Sequence, residues 1–193
     1  QPMSPYGNTK IVGEETIRDT AKASSINAIL LRYFNPIGAH PTAEIGELPI
    51  GVPQNLVPFI TQTAIGLRQE LSVFGDDYPT PDGTAVRDYI HVVDLAKAHV
   101  IALERLLEKK NTDRVETFNL GTGTGSSVLE VIQSFERVSG QKIPYKIVPR
   151  REGDVTEAYA NTHKANTVLG WKAESTLDEA MASAWKWEQK IRS

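Results

Sequence analysis

The order of apolar and polar positions changes period several times along the chain. Tyr6, Lys10, Gly13, Ile17 and Ala21 recur at helical spacing and give one mostly small face, with Ser4 suited to the N-cap and Pro5 to the first helical position. Residues 28–34 (AILLRYF) form an apolar run of strand length, of the kind buried in a parallel sheet. A Pro- and Gly-rich stretch covers residues 35–53, and a helix is expected over about 55–68. Residues 71–75 (LSVFG) read as a short strand and 76–83 as a turn-rich loop. Asp94 is expected to cap a helix that carries Leu95, Ala98, Ala102, Leu103, Leu106 and Leu107. A further strand is read over 117–120. Ser127 and Glu130 match a capping box, and Gly140 lies just past the end of the helix it opens. Residues 144–148 read as a strand, and Thr162 opens a short helix stopped by Gly170. Thr176 and Glu179 form a second capping box, which opens a last helix bearing Met181, Ala184, Trp185 and Ile191.

Helices thus alternate with short strands throughout, which argues an α/β architecture. The strands are few and scattered, whereas a complete doubly wound sheet needs several more, preceded by a glycine-rich first turn. Gly121, Gly123 and Gly125 stand where such a turn would, after a strand and before a helix. The third glycine comes one place early, and the segment where a confirming acidic residue should lie reads Tyr145-Lys146-Ile147-Val148. A tight strand-to-helix turn that needs backbone freedom is the better reading.

Composition narrows the function classes. The 193 residues are 40% hydrophobic and 23% charged, with a net charge of -3, no cysteine and a pI of about 5.8. Disulfides and thiolate metal sites are therefore excluded. No basic run points to nucleic acid, and no apolar stretch approaches the ~20 residues that a membrane helix needs. A cytoplasmic location fits. His91 and His99 read as structural, because their surroundings lack the carboxylates and spacing of a metal site.

Candidate chemistry begins at the first helix. Tyr6 and Lys10 are four residues apart and so share a face. A free phenol titrates near ~10, too high for a base at neutral pH, and an ammonium beside it favours the ionised form. Arginines bind phosphates by paired planar hydrogen bonds, and Arg87 and Arg151 sit in loop-like contexts where they could converge. Asn35 follows a buried strand, at the carboxyl end where α/β ligand sites gather, and Asn55 and Leu56 open a helix whose free N–H groups favour phosphate. Each feature also has a plainer reading: Arg87 and Asp88 as a solvated ion pair, Arg150-Arg151-Glu152 as an ordinary charged loop, Asn35-Pro36 as turn residues.

Four segments taken together, SPYGNTK from Ser4, LLRYFNPIGAHP from Leu30, FGDDYPTPDGTAVRDYIHVVDLA from Phe74 and RREGD from Arg150, resemble the UDP-glucose 4-epimerases of the extended short-chain dehydrogenase/reductase family. The resemblance covers nearly the whole chain, while that family's glycine motif and its catalytic Ser or Thr precede the tyrosine. It therefore implies the C-terminal portion of a Rossmann-type fold plus a small substrate-binding α/β domain. Residues 1–35 would be the last part of the NAD-binding domain and 36–193 mainly the sugar-nucleotide domain, with about 87–121 returning to the former. It implies NAD as a bound cofactor, with Tyr6 and Lys10 catalytic and both facing the cofactor, and Tyr33 near the nicotinamide. For the UDP-sugar it implies Arg87 and Arg151 on the diphosphate, Phe74 by the uracil, and Asp154 on a ribose hydroxyl, with Asn35, Asn55 and Leu56 also in contact. The residue matching Ala158 faces the sugar in the family, and its small volume raises the expectation that N-acetylated UDP-hexosamines are accepted besides UDP-glucose and UDP-galactose. The family commonly forms homodimers through the helix bearing Tyr6. The alternatives are another sugar-nucleotide enzyme of the extended family, a dehydratase or decarboxylase, and an inactive nucleotide-sugar-binding fragment.

Overall fold

The computed structural model of the chain describes residues 5–193; the expected N-cap, Ser4, lies outside the described residues. Helix α1 runs Pro5–Ala23 and is followed by strands β1 (Ala28–Tyr33) and β2 (Asn35–Ile37). Next come α2 (Leu56–Ala64), β3 (Leu71–Phe74), β4 (Val86–Arg87), β5 (Tyr89–His91) and α3 (Val92–Leu107). The second half contains β6 (Val115–Leu120), β7 (Ser126–Ser127), α4 (Val128–Ser139), β8 (Tyr145–Val148), β9 (Glu157–Ala158), a short π-helix (Ala165–Leu169) and α5 (Leu177–Arg192). Strand pairing is parallel for β1 with β6, β2 with β5, β3 with β8 and β4 with β9, while β4 and β7 run antiparallel. Parallel pairs of strands distant in sequence are the mark of an α/β chain, because each pair requires a crossover.

Two apolar cores hold these elements. One gathers Val57 and Ile60 of α2, Val73 of β3, Val131 and Phe135 of α4, and Met181 of α5. The other joins Ile90 of β5, Leu95 and Ala98 of α3, Phe118 and Leu120 of β6, and Trp171. In β6 the burial alternates, with Glu116, Phe118 and Leu120 inward, so a carboxylate shares the core face. Arg105 of α3 answers it with two hydrogen bonds of 2.7 and 2.9 Å, which hold the Glu116 carboxyl below its usual range.

Both capping boxes form, at Ser127 and at Thr176, and Gly140 and Gly170 end their helices in the left-handed conformation. Helix α2 stops at Ala64 instead of reaching residue 68. Gly66 takes a φ of 83°, and the N–H groups of Leu67 and Arg68 turn back to donate to the carbonyl of Gln62.

Asp94 does not cap α3. The N-cap is His91, whose Nδ1 accepts from the N–H of Val93 at 3.0 Å. Asp94 is buried inside the first turn, where its Oδ2 accepts from the N–H groups of Glu174 (3.0 Å) and Ser175 (2.7 Å). Burial raises its pKa, but those two bonds, a bond from the Ser175 side chain and the charge of Lys97 together outweigh it, and the net shift is downward. Asp94 thereby ties the segment before α5 to α3, a contact about eighty residues away that no local pattern announces.

Candidate functional site

One cleft of about 840 Å³ brings most of the expected site residues together. Its wall includes Tyr6, Asn35, Asn55, Leu56, Phe74, Arg87, Arg151 and Asp154. They arrive from α1, β2, the start of α2, the end of β3, β4 and the loop between β8 and β9. Lys10, Tyr33 and Ala158 are not in this wall. Lys10 places its Nζ 5.0 Å from the centre of the Tyr6 ring. Tyr33 is half exposed at the end of β1, its ring 6.0 Å from that of His99. Ala158 sits in β9 opposite Arg87 in the strand register, and its carbonyl accepts from the N–H of Asp88 at 3.0 Å.

The two arginines converge through Asp154. Arg87 Nη2 donates to Oδ1 of that carboxylate at 2.5 Å, and Arg151 Nη2 donates to Oδ2 at 3.0 Å. Arg87 also donates from Nη1 to the carbonyl of Val86 (2.8 Å), which pins the guanidinium to its own strand. Arg151 lies over the Phe74 ring at 4.8 Å, so one face of its guanidinium rests on an aromatic surface. Arg150 is engaged elsewhere: it donates to Asp77 Oδ1 at 2.6 Å and covers the Tyr78 ring at 3.9 Å. Tyr89 also faces the cleft, where burial pushes its phenol up to about 12 against the opposing pull of Arg87 and Arg151. Asn55 stands at the N-cap of α2 but does not bond the helix; its Nδ2 donates to Glu47 Oε1 at 2.8 Å.

Asp88, whose plainer reading in the sequence is a solvated pair with Arg87, braces this wall from behind. It is completely buried. Its Oδ1 accepts from the N–H and hydroxyl of Thr122, both at 2.8 Å, and its Oδ2 accepts from Gly123 N–H (3.1 Å) and Ala160 N–H (3.0 Å). The glycine turn at 121–125 therefore wraps the protein's own carboxylate. A Cβ on Gly121 would come within 2.3 Å of Asp88 Oδ2, and Gly123 takes a φ of 81°. The signal was alternation in an extended segment. Arg87 and Tyr89 face the cleft, so Asp88 must turn inward with Ile90.

The chain thus joins parallel α/β strand pairs to one cleft lined by Tyr6, Arg87 and Arg151, and its similarity to known proteins gives its class. The family model described as GDP-mannose 4,6 dehydratase matches residues 1–184, and the chain belongs to that family. Within it the likeness runs to UDP-glucose 4-epimerases. The mouse protein of that name is 55% identical over 188 residues, covering 97% of this chain and 53% of the relative. A UDP-glucose-4-epimerase from Stenotrophomonas maltophila, solved with bound NAD and formylated UDP-arabinopyranose, superposes with a TM-score of 0.93 at 51% identity, covering 98% of this chain and 56% of the other. The Bifidobacterium longum enzyme in complex with NAD+ and UDP gives 0.91 at 49%, covering 98% and 56%. The chain spans about half the length of the relatives it matches.

Proposed function

We propose that the chain supplies the sugar-nucleotide site and the Tyr–Lys pair of an NAD-dependent epimerase that inverts the 4-hydroxyl of UDP-glucose and UDP-galactose. The observation that carries this reading is the single cleft with Tyr6 in one wall and the Arg87–Asp154–Arg151 group in another. Arg87 and Arg151 grip the diphosphate, Phe74 lies by the uracil and Asp154 takes a ribose hydroxyl. Asn35 and the start of α2 at Asn55 and Leu56 complete the wall around the sugar nucleotide. Tyr6 takes the proton from the 4-hydroxyl and later returns it, with the Lys10 ammonium 5.0 Å from its ring centre. Ala158 lies outside the cleft wall but opposite Arg87 in the strand register, so acceptance of an N-acetyl group at the sugar's 2-position rests on its small volume alone.

The residues present fit one end of NAD. Tyr6 is 71% exposed with the Lys10 ammonium 5.0 Å from its ring centre, and Tyr33 is 52% exposed at the carboxyl end of β1, so these side chains would be free to hold the nicotinamide and its ribose. The turn at 121–125 closes on Asp88 and holds no place for the cofactor's diphosphate. When bound, NAD supplies the hydride acceptor and donor, and the protein supplies position and proton transfer. The parallel pairing of β1 with β6 supports assigning residues 1–35 and about 87–121 to the cofactor domain and the rest mainly to the sugar-nucleotide domain. Homodimerisation through α1 is consistent with its exposed Ile11 and Val12. Among the described residues no helix is long and apolar enough to cross a membrane, which is compatible with action in the cytoplasm.

Calorimetric titration of the 193-residue chain with UDP and with NAD separately tests the reading. UDP should bind and Arg87→Ala should weaken it; no heat from UDP up to ~1 mM, an affinity of only about 4 kcal/mol, would contradict it.

A further inference from the structure

The Asp154 carboxylate stands where an anion should go. One of its oxygens accepts from Arg87 and the other from Arg151, and its side chain is only 14% exposed. The two cations that face the cleft are thus already engaged with an acceptor supplied by the chain. Any anion that takes both guanidinium groups strips Asp154 of its donors and sets a like charge beside it, in a place from which the carboxylate has little water to turn to.

We infer that Asp154 acts as a built-in competitor for the two arginines, and that this makes the site select nucleoside diphosphates over free pyrophosphate. The inference rests on the proposed diphosphate role of Arg87 and Arg151 and deepens it. A nucleoside diphosphate carries hydroxyl donors on the ribose next to its anionic group. It can give the displaced carboxylate new hydrogen bonds as it takes the guanidinium groups. At neutral pH inorganic pyrophosphate brings negative charge without such an array, so the carboxylate is left unpaired beside a like charge. Discrimination then comes from a penalty placed against the wrong ligand, in addition to attraction for the right one. Arg150 does not relieve the conflict, because Asp77 and the Tyr78 ring hold it away from the pair.

The test compares the unaltered chain with Asp154→Asn, which keeps the shape and removes the charge, by calorimetric titration with inorganic pyrophosphate and with UDP. Glu152→Gln serves as the control, since it removes one charge from the same loop. Thermal melts check that each variant is folded, and Asp154→Ser gives a second side chain in case the amide finds partners of its own. In both Asp154 variants pyrophosphate should bind about tenfold tighter while UDP binds no tighter, so the preference for UDP falls by at least that factor. Equal tightening of both ligands, an effect no larger than that of Glu152→Gln, or weaker pyrophosphate binding each overturns the inference. If UDP binds the unaltered chain and any of those results follows, the inference fails alone. If UDP does not bind at all, the reading of the site fails and the inference with it.

Discussion

The two walls of the cleft are built to different standards of support. The arginine wall is braced from behind: Arg87 is fixed to Val86 and Asp154, Arg151 lies on Phe74, and the buried Asp88 binds β4 to the glycine turn and to Ala160. The tyrosine wall is a helix face. Of the described residues of α1 only Ala21 is buried, Tyr6 is 71% exposed, and the side-chain bonds from α1 to the strands run from Glu14 to Arg32 and from Arg18 to Thr117. The proposed diphosphate grip is thus braced within this chain, whereas the phenol proposed for proton transfer stands in the open, with the Lys10 ammonium 5.0 Å from its ring centre. The contrast says that binding and turnover should separate cleanly under mutation.

The sharpest way to break that separation is Tyr6→Phe. In a polypeptide of the relatives' full length, turnover should fall by at least ~10³-fold, because the proton acceptor is gone. UDP affinity in the same variant should stay within ~0.5 kcal/mol, as expected for an exposed substitution. Near-normal epimerisation by Tyr6→Phe would remove the tyrosine from the chemistry. Stability should respond in the arginine wall. Asp88→Ala leaves three backbone N–H groups and the Thr122 hydroxyl without their acceptor, so it should cost about 3–5 kcal/mol in urea denaturation. Its UDP binding should be lost together with the fold. A loss under ~1 kcal/mol would mean that the turn does not depend on Asp88.

Arg87→Ala probes the same wall more gently. The loss of a charge-assisted contact to the diphosphate, about 1.5–3 kcal/mol, should raise the UDP dissociation constant about 10- to 100-fold. Asp154 keeps Arg151 as a partner, so unfolding should shift less than in Asp88→Ala. A UDP affinity unchanged in Arg87→Ala would take the guanidinium out of the binding site and leave it a structural ion pair.

What the sequence disclosed followed the range of each interaction. The capping boxes at Ser127 and Thr176 and the left-handed glycines at 140 and 170 are set by residues a few positions apart, and all four appear where the pattern puts them. That Phe74 and Asp154 join Asn35 and Arg87 was legible only through resemblance, since strands and loops far apart in sequence deliver them. The plainer reading of Asp88 as a solvated pair and the reading of Asp94 as a cap fail for one shared reason. Each stands beside a residue that offers a local explanation, an arginine for the first and a helix start for the second. The groups that satisfy them are remote: Thr122 and Ala160 lie 34 and 72 positions from Asp88, and Glu174 and Ser175 lie 80 and 81 from Asp94. A buried carboxylate needs donors, but the sequence does not say which loop will bring them.

The smallest expected effect concerns the junction where β5 passes from the arginine wall into α3. His91 caps that helix with Nδ1 as acceptor, and its Nε2 lies 3.3 Å from the Ser183 hydroxyl of α5. Only a neutral ring can accept from Val93, because both nitrogens of an imidazolium are donors. Burial holds the pKa of His91 below its ordinary value; Asp94 and Glu179 pull it up, Lys97 pushes it down, and the net shift is downward. The folded state therefore binds fewer protons than the unfolded one at mildly acidic pH. Stability contributed by His91 is complete above about pH 6.5 and is lost as pH falls through the depressed value. The carboxylates with lowered values, Asp94 among them, add a loss of the same sign, for Asp94 below the ordinary 3.8. His91→Asn keeps a side chain able to cap and cannot titrate, so it should flatten the urea midpoint between pH 5 and 6.5. His91→Ala should cost about 1 kcal/mol at pH 7.5, the usual worth of a cap. If the midpoint of the unaltered chain does not move across that interval while the Asn variant matches it, the ring is not acting as an acceptor and α3 is held by its buried face alone.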